Sequence, residues 1–425
     1  MLANIGASII FILGYLGIAT EHKTHINKAA IALVMAGVLW AITALVVPHE
    51  IEEALAETGS EIFGITVFLL AAMSLVEILI HYRLFDIIRA KIVERGFTLE
   101  QQFLALSAMT FVLSGIVDNL TATIIAIQIA RKFFWGRNLL VMAVAIVIAA
   151  NAGGAFSPVG DVTTIMIWIA GKFTAFEILS KGFLPALVIG LVATGLLIRK
   201  IDSSEKRMEG GEEIQTVAAP LSRSEVVITV AALGSFFLPM VAKFIHLPPV
   251  IGILFGLGVT WTLVEAFRHV SAQRSHMTAT IESLIQKTDI ASIKFFVGIL
   301  LAVSALHTLG VLAYFSQLIY GADQSFMNVV FGNIILGLVS PILDNIPLTA
   351  IALSVLDVAD PNLWVLLALT VGTGGSLLSI GSAAGVVAMG MLKKLTFGEY
   401  FKIGFVPALL SFAAGIGVWA IEIWL

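Results

Sequence analysis

The chain has 425 residues, of which 59% are hydrophobic and 12% are charged, with a net charge of −4 and no cysteine. This composition lies far outside that of soluble domains and predicts a polytopic membrane protein surrounded by lipids. The lack of cysteine excludes disulfides and thiolate metal sites. The small charge is spread over loops and does not indicate a nucleic-acid partner, and we expect no cofactor and no enzymatic activity.

Apolar stretches long enough to cross a bilayer, about 20 residues each, recur along the chain and predict an all-α fold with ten crossings. They start near residues 3, 27, 62, 138, 178, 225, 247, 291, 360 and 401. Two further stretches, 100–133 and 327–356, contain polar motifs. We predict that these two stretches do not cross the membrane in the ordinary way.

The first polar motif, SGIVDNLTAT at 114–123, places Asp118 and Asn119 in a hydrophobic run. An Asp at the centre of a span costs about 2.5–3.5 kcal/mol on insertion scales, which makes a functional role the default hypothesis. Lys and Arg residues lie on both sides of the stretch, at 83–95 and 131–137. The positive-inside rule places both flanks in the cytoplasm, so we predict a re-entrant hairpin with the motif at its tip.

The motif recurs as SPILDNIPLTA at 340–350, where Asp344 and Asn345 repeat the acid–amide pair after 226 residues. Flanking segments recur in the same order, which indicates a tandem duplication. The predicted units are the two halves and the cytoplasmic linker between them, at 1–200, 225–425 and 201–224.

Each half has five crossings, an odd number, so the second half is predicted to be inverted relative to the first. The flanks of 327–356 carry no Lys or Arg, which places them outside the cell. Glycine-rich stretches should break the crossings 138–172 and 360–390, with unwound carbonyls facing the hairpin tips. This is the inverted-repeat architecture of secondary transporters, here with both termini outside.

The segments leading into the hairpins also correspond. Short interfacial helices are predicted over Arg83–Arg95 and Tyr314–Ile319. Glu77 and His307 occupy matching positions on the preceding crossings. They are candidates for proton relay or pH sensing; alternatively Glu77 snorkels and His307 is a helix-interface residue.

The hairpin tips and the breaks supply carboxylate, carbonyl and hydroxyl oxygens, the ligands that hard monovalent cations prefer. Capping of the second hairpin arms by the acid–amide pairs is the simpler interpretation, and it is compatible with ion binding. The candidate ion ligands are Asp118, Asn119, Thr121, Thr123, Ser157, Asp161, Thr164, Asp344, Asn345, Thr349, Thr373, Ser376 and Ser379.

Asp161 breaks the symmetry of the duplication, because its repeat partner is Ser382. A cluster of Asp118, Asp161 and Asp344 with no Arg or Lys expected nearby favours a cation such as Na⁺. Three close carboxylates cannot all stay ionised in a dry site without a cation. A proton and a metal ion would therefore compete for one cluster, which predicts exchange of Na⁺ or Li⁺ for H⁺.

With its two Asp-Asn-x-x-x-Thr tips and glycine-rich breaks, nearly the whole chain resembles the NhaD-type sodium/proton antiporters of the ion transporter superfamily. The resemblance implies a homodimer in a bacterial-type inner membrane. It also implies that the hairpins and broken helices form a transport unit that slides against a scaffold, an elevator motion.

Two alternatives remain open. A carrier of arsenite, other anions or dicarboxylates from the same superfamily is disfavoured by the absence of Arg or Lys at either tip. An intramembrane aspartyl protease would use two Asp residues as an acid/base dyad. Matching hairpin tips are not where such a dyad is expected, and Asp161 follows Pro-Val-Gly instead of Gly-x-Gly.

Overall fold

The computed structural model of the chain describes residues 2–19, 24, 26–49, 51–84, 87, 97–202, 221–270, 290–321, 323–378 and 381–424. All regular structure in these ranges is helical, as predicted. The first half contains α1 (Leu2–Ala19), α2 (Lys28–Val46), α3 (Ile51–His81), α4 (Leu99–Ser114), α5 (Asn119–Phe133), α6 (Gly136–Ala155), α7 (Val162–Ile169) and α8 (Ala175–Leu197). The second half contains α9 (Arg223–Ser235), α10 (Leu238–Phe244), α11 (Pro249–Val270), α12 (Ile290–Thr308), α13 (Val311–Tyr320), α14 (Phe326–Val339), α15 (Asn345–Val355), α16 (Pro361–Gly374), α17 (Ala383–Met391) and α18 (Phe397–Trp424).

Six of the described helices are each long and apolar enough to cross a membrane: α2, α3, α6, α8, α11 and α18. Two bent pairs, α9–α10 and α12–α13, raise this number to eight if each pair is one span. The other two predicted crossings correspond to α1 and to α16–α17, whose helices are shorter. The chain is a polytopic membrane protein with broken helices.

Each polar motif joins two helices at a turn, α4 to α5 and α14 to α15, and these helix–turn–helix stretches are called hairpins below. Their re-entrant course in a membrane stays a prediction. Asp118 is the N-cap of α5, and its carboxylate accepts a hydrogen bond from the Thr121 N–H at 2.8 Å. Asp344 caps α15 in the same way, accepting from the Ile346 N–H at 3.5 Å. The capping role is therefore confirmed, because each side chain satisfies an N–H that the first helical turn leaves unpaired.

Each hairpin is followed by an interrupted helix, as the glycine-rich stretches predicted. Helix α6 ends at Ala155 and α7 begins at Val162, while α16 ends at Gly374 and α17 begins at Ala383. Asp161 is the N-cap of α7, and its repeat partner Ser382 is the N-cap of α17. The two breaks therefore share a backbone design and differ in the side chain that caps the second segment.

The breaks pack directly against the hairpin tips. A Cβ atom added to Gly160 would lie 2.5 Å from the carbonyl oxygen of Ser114, and one added to Gly381 would overlap the carbonyl oxygen of Ser340. The side chains of Ser114 and Ser340 in turn donate hydrogen bonds to backbone carbonyls of the helices that enter the breaks. Each tip is thus fixed to its own break from both sides.

Helices α12 and α13 meet at a bend of 82°. The connection passes through Gly310 at φ +70°, a left-handed conformation that glycine adopts without steric cost. The helix predicted at Tyr314–Ile319 is thus present and turned away from α12. Of its predicted counterpart at Arg83–Arg95, only three residues are within the described ranges. Most of the linker 201–224 is likewise outside them.

The helices contact one another in two main sets. Helices α2, α3, α11 and α12 pack together, and the hairpins and broken helices pack with one another and with α8 and α18. The contacts α12–α15 and α3–α7 join the two sets. The hairpin tips and breaks therefore lie where the two sets meet.

Helices α8 and α18, equivalent in the two halves, pack antiparallel. The Lys200 Nζ, just beyond the end of α8, donates to the carbonyl of Ile403 at 2.7 Å, near the start of α18. Earlier in α8, Pro185 and Ile189 contact Gly415, which lies farther along α18. An inverted duplication would produce this packing at its centre, and the orientation in a membrane stays a prediction.

Candidate functional site

The carboxylate of Asp161 is the point at which the two hairpin tips meet. Asp161 is 2% exposed. Its Oδ2 accepts a hydrogen bond from Asn119 Nδ2 at 3.2 Å, and Asn345 Nδ2 lies 3.3 Å from each of its oxygens. One buried acid from a break therefore holds an amide from each hairpin, and three of the predicted site residues are brought together.

Asn151, in the last turns of α6, extends this network to the second break. Its Oδ1 accepts from Asn119 Nδ2 at 3.0 Å, and its Nδ2 donates to the hydroxyls of Ser376 and Ser382 at 2.8 and 3.0 Å. Asn151 and Ser382 were not among the predicted ligands. The repeat alignment carries a signal for Asn151, because a glycine, Gly372, stands at the matching position.

Four helices begin in this network. Asn119 and Asn345 are the first residues of α5 and α15, and Asp161 and Ser382 cap α7 and α17. A helix N-terminus carries a partial positive charge of about half an elementary charge. Several N-termini together stabilise the nearby carboxylates, so a buried acid can be retained here before any cation binds.

A cavity of about 80 Å³ opens beside the network, which is roughly the space of two or three water molecules. Apolar side chains such as Leu69, Val76 and Phe296 form much of its wall. The polar residues that line it are Lys28, Asp118, Asn119, Asp161, Asp344 and Asn345. All three predicted carboxylates therefore face one space.

The expectation that no Lys or Arg lies near the tips is wrong. Lys28, the first residue of α2, places its Nζ 3.2 Å from Asp344 Oδ2, with the two side chains 27% and 14% exposed. The same Nζ lies 4.3 Å from the centroid of the Phe295 ring. Sequence reasoning missed Lys28 because it belongs to a different segment, 316 residues before its partner.

The three carboxylates do not form a joint ligand cage in this conformation. Within the described ranges, no three Asp, Glu or His side chains lie close enough to hold one metal ion. The carboxylate of Asp118 accepts from both the N–H and the hydroxyl of Thr121, at 2.8 and 2.7 Å. A cation held here would therefore need amide, hydroxyl or carbonyl oxygens in addition to carboxylate.

Comparison with known proteins places this geometry in a family. A family model described as a citrate transporter (CitMHS) matches residues 15–374. Sodium/proton antiporter 2 of Arabidopsis thaliana is 34% identical over 96% of this chain and 97% of its own length. The Na⁺/H⁺ antiporters NhaD of Alkalimonas amylolytica and Vibrio cholerae are 32% and 31% identical, over 98% and 93% of this chain and 89% and 87% of their own lengths.

The chain belongs to the CitMHS family. The predicted resemblance to NhaD-type antiporters is confirmed by relatives that match almost the whole chain. Like other members of this family, the chain is a secondary transporter. The residues matched by the family model include Lys28, both hairpins and the first break.

Several other predicted ligands of this CitMHS transporter have hydroxyls that bond within their own helices and do not line the cavity. Thr123, Thr349 and Thr373 each donate to the carbonyl four residues earlier. Thr164 donates to the Asp161 carbonyl, and the Ser157 hydroxyl accepts from the Val159 N–H.

The remaining predicted residues are not at the cavity or are not described. Ser379 lies outside the described residues. Glu77 follows the lining residue Val76 on α3 but is not itself a lining residue, and His307 is exposed near the end of α12. The polar lining of the cavity therefore comes from the two tips, the first break and α2, and its apolar wall comes largely from α3 and α12.

Proposed function

We propose that the chain exchanges Na⁺, or Li⁺, for H⁺ across a bacterial-type inner membrane. The observation that carries the proposal is the buried Asp161 carboxylate, which binds an amide from each hairpin tip beside a cavity lined by two further carboxylates. Relatives that match nearly the whole chain bear the names of sodium/proton antiporters, which supports the same activity.

The site has the chemistry to bind a hard cation. Carboxylate and amide oxygens are suitable ligands for such ions. In the structure Asn119 and Asn345 turn their amide nitrogens towards Asp161. Rotation of either amide would present its oxygen instead, so a cation at Asp161 would recruit ligands from both tips.

The same carboxylates account for proton coupling. Like charges around a small, largely apolar cavity disfavour the simultaneous ionisation of Asp118, Asp161 and Asp344. A bound proton relieves this repulsion, and so does a bound Na⁺. Since the two species relieve one repulsion, arrival of one favours release of the other.

Everted membrane vesicles test the exchange. The expected result is that added NaCl or LiCl dissipates a preformed pH gradient in vesicles with this chain, but not in vesicles without it. KCl serves as the comparison salt. A response to none of these cations, with the protein present and folded in the membrane, would rule out cation/proton exchange.

A citrate or other anion carrier is a second candidate, favoured by the family description and by Lys28 at the cavity. The charge count weighs against it, because three carboxylates line the cavity and one ammonium does. A citrate anion would meet repulsion from any carboxylate left ionised. Uptake of radiolabelled citrate by the same vesicles separates the two, and saturable uptake would favour the anion carrier.

The protease alternative has less geometric support. An acid/base dyad requires two carboxyl groups within hydrogen-bond reach. In the described structure Asp118 bonds Thr121, Asp344 bonds Lys28 and Asp161 bonds amides. No hydrogen bond joins two of these Asp residues among the described contacts.

The two sets of helices would have different roles in transport. The set containing α2, α3, α11 and α12 would serve as scaffold, and the hairpins and breaks would form the moving unit of an elevator in a homodimer. Both termini would lie outside the cytoplasm. Glu77 on α3 and His307 on α12, both in the scaffold set, stay candidates for a proton relay or pH sensor.

A further inference from the structure

Lys28 makes a contact that joins the two sets of helices at the cavity. It begins α2, which packs against α12, and α12 carries the Phe295 ring beneath the ammonium. Its carboxylate partner, Asp344, belongs to the tip of the second hairpin. A single ammonium therefore connects the α2–α12 pair to a hairpin tip.

The position of this ammonium coincides with a place where a cation would bind. The lysine ammonium is a compact, strongly hydrated charge, and it lies 3.2 Å from Asp344 Oδ2 in the wall of the cavity. The ring of Phe295 supports it on another side, since a cation over an aromatic face is attracted by the ring. Asp344 is thus paired with a positive charge that the protein itself supplies.

We propose that Lys28 is a tethered cation that pairs with Asp344 and that the transported cation must displace from it. This inference rests on the proposed function and adds an affinity-setting residue to it. Displacement has two effects in one step, since it opens Asp344 to the ion and releases the hairpin tip from α2. The free energy needed to break the Lys28–Asp344 contact therefore reduces the net free energy of Na⁺ binding.

The direction in which Na⁺ affinity changes when Lys28 is replaced distinguishes a competing cation from a merely structural residue. Removing the ammonium removes a competitor, so Na⁺ should bind more tightly, with an expected change of about three- to tenfold for an ion pair that is only partly exposed. Loss of a merely structural contact would weaken binding or leave it unchanged. The charge, and not the length of the side chain, should set the affinity.

Because the chain has no native cysteine, the role of the charge at position 28 can be tested by chemical modification of a single introduced cysteine. Equilibrium binding of ²²Na⁺ is measured at one fixed pH on the purified full-length protein carrying Lys28→Cys. We expect tighter binding than in the wild type. Treatment with 2-aminoethyl methanethiosulfonate, which restores an ammonium, should return the Na⁺ affinity towards the wild-type value. Methyl methanethiosulfonate, which adds a neutral group, should leave the affinity of the cysteine variant unchanged.

The matched control is Lys294→Gln. Lys294 is exposed on α12 next to two residues that line the cavity, and it does not line the cavity itself. Its removal should leave Na⁺ affinity within about twofold of the wild type, as for a surface charge. If Lys28→Cys does not fold, Lys28→Gln carries the same expectation of tighter binding.

Two failures are distinguishable. If the wild-type protein binds no ²²Na⁺, the proposed function itself is wrong. If the wild type binds Na⁺ and the folded Lys28 variants bind it equally or less tightly, only the tethered-cation role is overturned. Equal effects of the charged and neutral reagents would also overturn it.

Discussion

Asp161 satisfies groups that are far apart in the sequence. Its two amide donors, Asn119 and Asn345, lie 42 and 184 residues away along the chain. A buried carboxylate requires such partners, and here the partners are also the first residues of two helices. The same side chain thus positions both tips and supplies the negative charge of the site, and a substitution can separate these roles.

Asp161→Asn should abolish cation/proton exchange and leave the fold intact. The neutral amide can still cap α7 and accept a hydrogen bond, since Asn and Asp are comparable N-caps. Loss of the charge removes a carboxylate ligand, so Na⁺ should bind at least about tenfold more weakly, which corresponds to about 1.4 kcal/mol. Vesicle exchange and thermal unfolding of the purified variant measure the two effects.

Asp360→Asn is the control for this prediction. Asp360 also caps a helix, accepting from the Asn362 N–H at 2.9 Å, and it does not line the cavity. Exchange near the wild-type rate is expected. If Asp161→Asn also retained that rate, the buried acid would be a structural cap only.

Asp118→Asn and Asp344→Asn should each eliminate exchange while preserving the hairpins. Each change keeps a capping side chain at the tip and removes one of the three carboxylates that face the cavity. Exchange in everted vesicles, with membrane protein levels measured in parallel, provides the check. Normal exchange in either variant would restrict that Asp to its capping role.

Residues that act within one motif could be predicted, and residues joined only by the tertiary structure could not. Asp118, Asp344 and Asp161 are visible as acids in apolar runs. Lys28 reaches the second tip from another helix, and its position at the start of α2 has no local signal. Asn151 lies in a stretch whose glycines predict a helix break, and no feature within that stretch alone marks its amide as part of the site.

At the scale of elements, the sequence was most informative where backbone chemistry is local. Gly-rich breaks and acid–amide tips determine where helices stop and start, and both breaks occur as predicted, with an N-capping Asp at each motif. The arms before the hairpins are less defined by local cues. Only the one at 311–320 can be compared with its prediction, and it is a helix.

Gly381→Ala should destabilise the docking of the second hairpin. Its Cβ would overlap the carbonyl oxygen of Ser340, which is buried backbone of the hairpin tip. Overpacking of this kind costs about 1–3 kcal/mol. The expected result is a lower thermal unfolding temperature together with reduced exchange.

Gly390→Ala, in the helix α17 that follows the break, provides the comparison. Nothing lies within 4 Å of a Cβ atom added at Gly390, and alanine favours the helix by about 0.5–1 kcal/mol over glycine. Unchanged or slightly higher thermal stability is expected. Equal thermal stability of the Gly381→Ala and Gly390→Ala variants would show that the second hairpin tip does not depend on close packing against Gly381.

Across the whole molecule, contacts between the halves join residues that the topology places on one side of the membrane. Arg131 donates to the carbonyl of Met391, and both ends are predicted to face the cytoplasm. The Lys172 Nζ lies 5.0 Å from the Trp364 ring centroid, and both are predicted to face outward. The predicted orientation is thus compatible with the packing and can be measured directly.

Single-cysteine labelling tests the orientation. Ser325 and Asp357 are exposed at the two ends of the second hairpin, and cysteine at either position should react with a membrane-impermeant reagent from outside. Lys394→Cys, in the exposed loop between α17 and α18, should react only after permeabilisation. Protection of one hairpin end would make the hairpin a full crossing and remove the inversion.

The apparent affinity for Na⁺ should depend on pH in a defined direction. If a proton competes for the carboxylate cluster, the half-saturating Na⁺ concentration rises as pH falls, by up to about tenfold per pH unit for one competing proton. The maximal rate at saturating Na⁺ should change little. A half-saturation value independent of pH in vesicles would indicate a separate proton route, for which Glu77 and His307 would be examined first.

The two halves of the chain differ in residues that build the site, so one half cannot take the role of the other. Asp161 corresponds to Ser382, and Asn151 corresponds to Gly372, yet all four residues gather at one place. If the predicted inverted duplication is correct, a single ancestral copy would have needed a second copy in the opposite orientation to assemble such a place. Fusion of the two copies would then have allowed the acid in one half and a small residue, Gly372, beside it in the other.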